Sequence, residues 1–374
     1  MIVAVNTRFL LDTHLEGFGY FSREVLRRMV QQHPEHQFHF FFDRPFLQDY
    51  LFAHNVTGHV LSPQTRHPLL WKYWFDVAVT RRLRRIGADV FLSPDGQCSL
   101  TTRVPQCLVV HDLGFLHHPE GYQGSHLAYY KYFTPKFVRR AQTVATVSGF
   151  SRHDIVSKYG TDPAKISVVY NGVKEIFRPF SFDEKMAVKE KYTDGAEYFL
   201  YTGAIQPRKN LVNLLKAYSV FKRRLQSSLK LVLAGRLAWK NDEFRELLKT
   251  YKYKDDVVLT GYLPEEELAP LTASAYAMVY PSFFEGFGVP VAEAMRCGVP
   301  VLTSKDSAME EISGGAALYF DPDNVDDLAY KLMFIYKNEG ERKELLENAL
   351  PLSEQYTWER TAALLWEAVE RAAK

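Results

Sequence analysis

Cysteine is scarce in this chain of 374 residues: only Cys98, Cys107 and Cys297 occur. The odd count and the wide spacing fit neither a disulfide framework, nor a zinc knuckle, nor a CxxC redox pair, which leaves reduced cytosolic thiols as the plain reading. No run of 18 apolar residues exists, so no membrane-spanning helix is expected. The opening Met1-Ile2-Val3-Ala4-Val5-Asn6 lacks the basic region and cleavage site of a signal peptide and reads as a buried strand. These absences together set a cytoplasmic expectation. A large charge of one sign is missing too: the net charge is +2, too small to indicate a nucleic-acid partner. No internal repeat at a solenoid period appears. With 47% apolar and 24% charged residues, disorder and fibrous repeats are excluded as well.

What is present is an uneven distribution. Residues 1–180 carry 21 Lys+Arg against 14 Asp+Glu, whereas residues 181–374 carry 25 against 30. A basic front half and an acidic back half suggest two domains with different partners, as the length also does. Apolar runs of strand length alternate with amphipathic helical patterns through both halves. In the front half Ile2–Val5, Phe38–Phe42, Asp89–Leu92, Gln106–His111, Thr143–Val147 and Ile166–Tyr170 read as strands. Phe21–Val30, with Ser22 near its start, and Ser151–Tyr159, with Ser148 as N-cap, read as helices. Asn-Gly, Arg-Pro and Asp-Gly pairs between Asn171 and Glu197 mark a linker. The alternation then restarts with strands at Tyr198–Thr202, Lys230–Ala234, Val257–Leu259, Ala277–Tyr280, Val299–Thr303 and Ala317–Phe320. Such alternation predicts an α/β chain of two doubly wound units with parallel sheets. Ligands of such sheets bind beyond the carboxyl ends of the strands, so the chemistry is expected in strand-end loops facing an interdomain cleft.

The strongest chemical signal is the string Pro281-Ser282-Phe283-Phe284-Glu285-Gly286-Phe287-Gly288-Val289-Pro290-Val291-Ala292-Glu293. A strand leads into a glycine-bearing loop, and a helix opens at Pro290, where the missing N–H costs nothing. Glycines let backbone approach a ligand, and the helix N-terminus presents free N–H groups suited to a diphosphate or a polyhydroxyl group. Glu285 and Glu293 can both face one pocket, and carboxylates accept bonds from sugar hydroxyls.

Glu285 and Glu293 inside this string resemble the donor-binding signature of the retaining GT-B glycosyltransferases of family 4. Other segments agree in order: Val110-His111-Asp112-Leu113, Thr146-Val147-Ser148, Tyr170-Asn171-Gly172-Val173, Gly203-Ala204-Ile205-Gln206-Pro207-Arg208-Lys209-Asn210, and Leu259-Thr260-Gly261-Tyr262-Leu263. The resemblance spans nearly the whole chain and implies a GT-B fold of two Rossmann-like domains. It puts the acceptor-side domain at 1–172, the donor domain at 173–354, and a last helix at 355–374 that crosses back onto the first domain. It implies a retaining hexosyltransferase of polysaccharide assembly that needs no metal and no cofactor. Its donor would be a nucleoside diphosphate sugar, GDP-mannose or a UDP-sugar, and its acceptor a glycan or a lipid-linked glycan. The stretch from His111 to Glu120 resembles bacterial mannosyltransferases.

The same resemblance implies roles. Glu285 binds donor-sugar hydroxyls and supports charge at the anomeric centre, and Glu293 holds the ribose diol. Lys209 and Arg208 face the diphosphate, where their charge offsets the leaving group's. Gly286, Phe287 and Gly288 offer backbone amides, Gly203 belongs to the phosphate loop, and Tyr262 and Leu263 border the base. His111 reaches the donor sugar, and Gly17, Phe18 and Gly19 form a flexible loop that closes on the diphosphate. Many relatives place an arginine directly after the loop glycine. This chain has Ala204 there, with Arg208 as the candidate replacement.

Three further features each admit more than one reading. Asp321-Pro322-Asp323 has the Asp-x-Asp form of a metal–diphosphate motif, but it precedes a helical run and reads better as a cap. His33, His36, His39, His117 and His118 lack a matching set of carboxylates or cysteines and are given surface or packing roles. Trp71, Trp74, Phe75, Val77, Ala78 and Leu83 fall on one helical face between Trp71 and Arg85, with Arg81, Arg82, Arg84 and Arg85 at one end. Such a face suits either a core helix or a peripheral contact with anionic lipid at the inner face of the membrane. Two other functions stay open: a catalytically silent GT-B subunit that binds nucleotide sugar, and a GT-B epimerase or phosphorylase.

Overall fold

The computed structural model describes residues 1–10, 15, 17–237 and 241–374. The chain divides into two compact units, Met1–Gly172 with Thr357–Lys374, and Val173–Tyr356.

The first unit is built on seven strands: β1 Ile2–Asn6, β2 Gln37–Phe42, β3 Val56–Val60, β4 Val90–Ser93, β5 Gln106–Val109, β6 Thr143–Thr146 and β7 Ile166–Val168. Their order is β3-β2-β1-β4-β5-β6-β7, and every pairing is parallel. Val3 pairs with Phe38 on one side and Val90 on the other, so the chain winds outward from β1 in both directions. The central strands β4, β5 and β6 are buried throughout, because helices cover both faces of a parallel sheet. Among the described residues, edge strand β3 is the one strand that the sequence pattern does not reveal. Of its residues Val-Thr-Gly-His-Val, Val56 is buried, Gly58 and His59 are half-buried and Thr57 and Val60 are exposed, and they form no apolar run.

The helices follow their caps. Ser148 Oγ accepts from the Ser151 amide and opens Gly149–Tyr159, as expected. Thr357 caps the last helix, Trp358–Ala373, which packs on β4 to β7 and on the helix Phe18–Gln32, all within the first unit. Ser22, in contrast, lies inside the helix Phe18–Gln32 and donates back to the Phe18 carbonyl. The cap position belongs to Gly17, at φ 47°.

The stretch that suits either a core helix or a peripheral membrane contact turns most of its apolar stripe to the core. Pro68–Tyr73 and Thr80–Ile86 are α-helical, and the turn between them, Trp74–Val79, is a π-helix. Trp71, Trp74, Phe75, Val79 and Leu83 are buried, with the Trp71 and Trp74 indole N–H groups donating to the Thr65 and Leu61 carbonyls. The stripe read from the sequence is therefore the core face, apart from Val77, which is exposed. The widened turn puts a second face into solvent, formed by Leu69, Tyr73 and Val77 and continued by Arg81, Arg84 and Arg85.

The second unit has six strands: β8 Tyr198–Thr202, β9 Lys230–Ala234, β10 Val257–Gly261, β11 Ala277–Tyr280, β12 Val301–Ser304 and β13 Leu318–Phe320. Their order is β10-β9-β8-β11-β12-β13, again all parallel. The linker-like stretch holds a helix, Phe182–Thr193, opened by a capping box between Ser181 and Glu184. In the Asp-x-Asp stretch the cap is Asn324, which accepts from the Asp326 and Asp327 amides, while Asp321 accepts from the Asp323 amide and pairs with Lys305.

The turns leaving β8 and β9 touch through backbone. Gly203 donates to the Ala234 carbonyl, and a Cβ built on Gly235 would stand 1.9 Å from the Gly203 oxygen. Gly235→Ala is therefore expected to destabilise the protein by roughly 2–4 kcal/mol, since backbone on both sides must move. Chemical denaturation checks this, with Gly87→Ala as the control for positive φ in open space.

Candidate active site

In both sheets the order reverses beside the first strand, between β1 and β4 and between β8 and β11. Loops leaving the carboxyl ends of such a pair diverge and open a crevice, the usual ligand position in doubly wound folds. In this chain each crevice is occupied by a buried ion pair.

In the second unit the cluster is Arg208, Lys209, Tyr280 and Glu285. Pro207–Lys209 forms a short 3-10 turn after β8, and Tyr280 ends β11. Phe283 N–H donates to the Arg208 carbonyl, which ties the two loops together. Lys209 Nζ lies 2.5 Å from Glu285 Oε1 and 2.7 Å from the Tyr280 hydroxyl, and Arg208 Nη1 lies 3.0 Å from Glu285 Oε2. Arg208 also donates to the Phe284 carbonyl. Burial opposes ionisation of Glu285, but Arg208 and Lys209 outweigh it and hold the carboxyl at about 2. Burial also pushes the Tyr280 hydroxyl well above its ordinary range, so it remains a donor. A carboxylate with two cations suits a group that brings its own negative charge to the cations and hydroxyls to the carboxylate.

The remaining expected residues of this unit fall around two neighbouring loops. Gly288 caps the helix Val289–Arg296 at φ 92°, and a Cβ there would press on Met309 at 2.7 Å. The Phe287 ring is buried against Tyr356. Glu293, on that helix, keeps different company from Glu285. Burial raises its carboxyl to about 7, opposed by Lys174 and aided by Glu265. Lys174 itself pairs with Glu265. Gly261 ends β10 at φ 71°, after which Tyr262 is 62% exposed and Leu263 half-buried.

In the first unit Arg8, just after β1, pairs with Asp95, just after β4: Nε to Oδ2 is 2.6 Å and both side chains are almost fully buried. Asp95 Oδ1 also accepts from Ser93 Oγ and the Gln97 amide. His111 follows β5. Its Nε2 lies 2.9 Å from the Pro94 carbonyl, which can only accept, so Nε2 carries a proton. Burial pushes the His111 pKa down, which favours the neutral ring with Nδ1 as its acceptor. Phe18 and Phe21 pack on that ring at 4.7 and 4.8 Å. Gly17, Phe18 and Gly19, expected as a flexible loop, form the cap and first turn of the helix Phe18–Gln32. A Cβ on Gly19 would meet the Phe9 oxygen at 2.8 Å. A cavity of about 110 Å³ opens beside His111, Asp112 and Gly96.

The sequence reading did not single out Tyr280, Lys174, Arg8 or Asp95 for a role. Polar residues ending fully apolar strand runs, Tyr280 above all, are the signal that could have found them. Glu35 was also missed: its carboxylate, His33 and His36 hold their ligand atoms within 4.8 Å of one another, beneath the Trp366 ring.

Residues 182–350 match the family model described as glycosyl transferases group 1, and residues 16–175 match glycosyltransferase family 4. The chain is 28% identical over 357 residues to the O-antigen chain mannosyltransferase B of Escherichia coli, covering 92% of this chain and 93% of that protein. It is 29% identical over 277 residues to the O-antigen chain mannosyltransferase RfbU of Salmonella typhimurium, covering 72% of this chain and 71% of that protein. Among solved structures, Anabaena Alr3699/HepE in complex with UDP-glucose superposes with a TM-score of 0.75 at 15% identity, covering 99% of this chain and 98% of that one. That likeness establishes the fold, GT-B. With a family 4 segment in front of a group 1 segment, the chain belongs to the glycosyltransferases.

Proposed function

We propose that this glycosyltransferase moves a hexose, mannose in the favoured reading, from a nucleoside diphosphate sugar to a glycan or lipid-linked acceptor in polysaccharide assembly, with retention and without a metal. The observation that carries the proposal is the Arg208–Lys209–Glu285 cluster at the strand-order reversal of the second sheet. Two cations there can take a diphosphate and offset the charge that grows on it as the glycosidic bond breaks. Glu285 accepts sugar hydroxyls and supports positive charge at the anomeric carbon. Glu293 takes the ribose diol, Tyr262 and Leu263 border the base, the amides of Gly286, Phe287 and Gly288 complete the contacts, and Gly203, whose own N–H is held by the Ala234 carbonyl, shapes the phosphate loop. His111, neutral and with Nδ1 as acceptor, meets the donor sugar from the first unit, with Gly17 and Gly19 nearby in the chain's fold. The sugar preference rests on the two mannosyltransferase relatives. A UDP-sugar donor is the second reading, favoured by the UDP-glucose complex of the Anabaena neighbour.

Among the described residues, no helix is long and apolar enough to cross a membrane. The exposed face of Leu69, Tyr73 and Val77 with Arg81, Arg84 and Arg85 is suited to peripheral contact with an anionic leaflet. A cytoplasmic enzyme at the inner membrane face is the placement this supports.

Thermal-shift titration with GDP-mannose, UDP-glucose and UDP-galactose tests the donor: GDP-mannose is expected to stabilise most, and no shift with any of them would overturn the reading. Transfer after exhaustive chelation is expected to remain at the untreated rate. Dependence on added manganese would reject the metal-independent mechanism, since Lys209 and Arg208 would then be insufficient for the diphosphate.

A further inference from the structure

The cavity beside His111 has a chemistry that narrows the acceptor. It lies at the carboxyl ends of β4 and β5, next to the strand-order reversal of the first sheet. Three aromatic rings form much of its wall. Phe115 and Tyr130 stand 5.6 Å apart at 35°, and Tyr122 meets both nearly edge-on, at 85° to Phe115 and 81° to Tyr130. Rings set at such angles offer faces to the C–H side of a pyranose and edges to its oxygens.

The polar groups are acceptors and neutral donors. Asp112 Oδ1 accepts from the Gly114 amide at 2.8 Å, and no bond to its second oxygen is found among the described residues. Asp95 is already engaged with Arg8, Ser93 and Gln97. Burial raises the Tyr130 hydroxyl, which therefore stays protonated. No lysine or arginine is among the described residues that line the cavity, although this unit carries the chain's positive surplus. Arg81, Arg82 and Arg85 line a different groove, with Ser62 and Tyr73. A phosphate in the cavity would meet the Asp112 carboxylate, and the cation behind the wall, Arg8, is already committed to Asp95.

We propose that this cavity seats the terminal sugar of the acceptor as an uncharged ring, packed on Phe115, Tyr122 and Tyr130 and held through its hydroxyls by Asp112. The proposal rests on the transferase reading and selects, within it, a glycan end over a bare lipid diphosphate. The arginines on the groove of Ser62 and Tyr73 are left for whatever anionic part the acceptor carries.

Saturation-transfer NMR on the full chain tests this, with nucleoside diphosphate added in excess to fill the donor site. Methyl α-mannoside, the neutral probe, is expected to receive magnetisation and to be bound about tenfold more tightly than mannose 6-phosphate. Tyr130→Ala should abolish the signal. Asp112→Asn retains an oxygen for the Gly114 amide, so the fold is kept, and it should weaken binding about tenfold, the usual scale for a lost charged hydrogen bond. In turnover the same variant should raise acceptor KM about tenfold with kcat within threefold. Tighter binding of mannose 6-phosphate, or equal binding of methyl α-mannoside by wild type and both variants, would overturn the proposal. Donor turnover by the wild type is measured separately. Its absence would reject the transferase reading and leave the binding result standing as a sugar site.

Discussion

Glu285→Ala is expected to lower kcat by about a thousandfold, while nucleoside diphosphate binds at least as tightly as before. The two effects have opposite sign because Glu285 is the counter-ion of the groups that would hold the diphosphate. Lys209 lies 2.5 Å and Arg208 3.0 Å from its oxygens, so an arriving diphosphate competes with the carboxylate for both. Removing the carboxylate ends that competition and leaves two poorly solvated cations in need of an anion. The ligand-free variant should unfold at a lower temperature than wild type, and saturating nucleoside diphosphate should raise its midpoint by more than it raises the wild-type midpoint. In the proposed reaction turnover would fall because the positive charge that develops at the anomeric carbon loses the carboxylate assigned to support it. Single-turnover kinetics with a diphosphate titration check both halves. An unchanged kcat would remove Glu285 from the chemistry, and weakened diphosphate binding would mean that the ligand does not share these cations.

Much of this was legible in the sequence, for a physical reason. Parallel strands covered on both faces are unbroken apolar runs, and Tyr198–Thr202, buried at every position, stands out from its surroundings. Strands of that kind end where side chains turn polar, and the ligand-facing loops begin there. Edge strand β3 escapes because a half-exposed strand containing Gly58 and His59 has no such run. The apolar face of the Pro68–Ile86 stretch was legible as a core face except at Val77, which stands in solvent because a π-turn advances the helix by an extra residue, a shift that a constant period of 3.6 cannot anticipate. The candidate site was legible as two separated motifs, but their joining was not. Arg208 and Lys209 stand 77 and 76 residues from Glu285, and no local rule pairs residues across such a gap. Only the strand order, β8 beside β11, brings the two loops together. Arg8 and Asp95 meet for the same reason, through β1 beside β4. Charge patterning puts the positive surplus in the first unit without placing it: the exposed arginines and the carboxylate-lined cavity belong to separate surfaces of it.

Lys209→Ala should reduce donor affinity and turnover together, by about a hundredfold or more in kcat/KM, where Glu285→Ala separates them. It should also destabilise the ligand-free protein by about 3–5 kcal/mol, a drop in melting temperature on the order of 10 °C. The cause is what remains. Glu285, 9% exposed, keeps Arg208 but loses the ammonium on its other oxygen, and the Tyr280 hydroxyl, 3.4 Å from that oxygen, is a neutral substitute. The double variant Lys209→Ala/Glu285→Ala should recover part of the loss, since it buries no carboxylate short of a partner. Acid titration carries an independent signature. Glu285 is held at about 2 in the folded wild type against an ordinary 4.5, so its contribution to stability is complete above pH 4.5 and is lost as pH falls from there toward 2. With Lys209 gone, burial is opposed mainly by Arg208 and the folded value moves back up. Less stability is then at stake on acidification, and the melting temperature should fall less steeply between pH 4.5 and 2 than it does in wild type. An additive double variant with an unchanged acid slope would show that the ammonium and the carboxylate are neighbours without being coupled. Diphosphate would then have to be held by Arg208 and backbone amides alone.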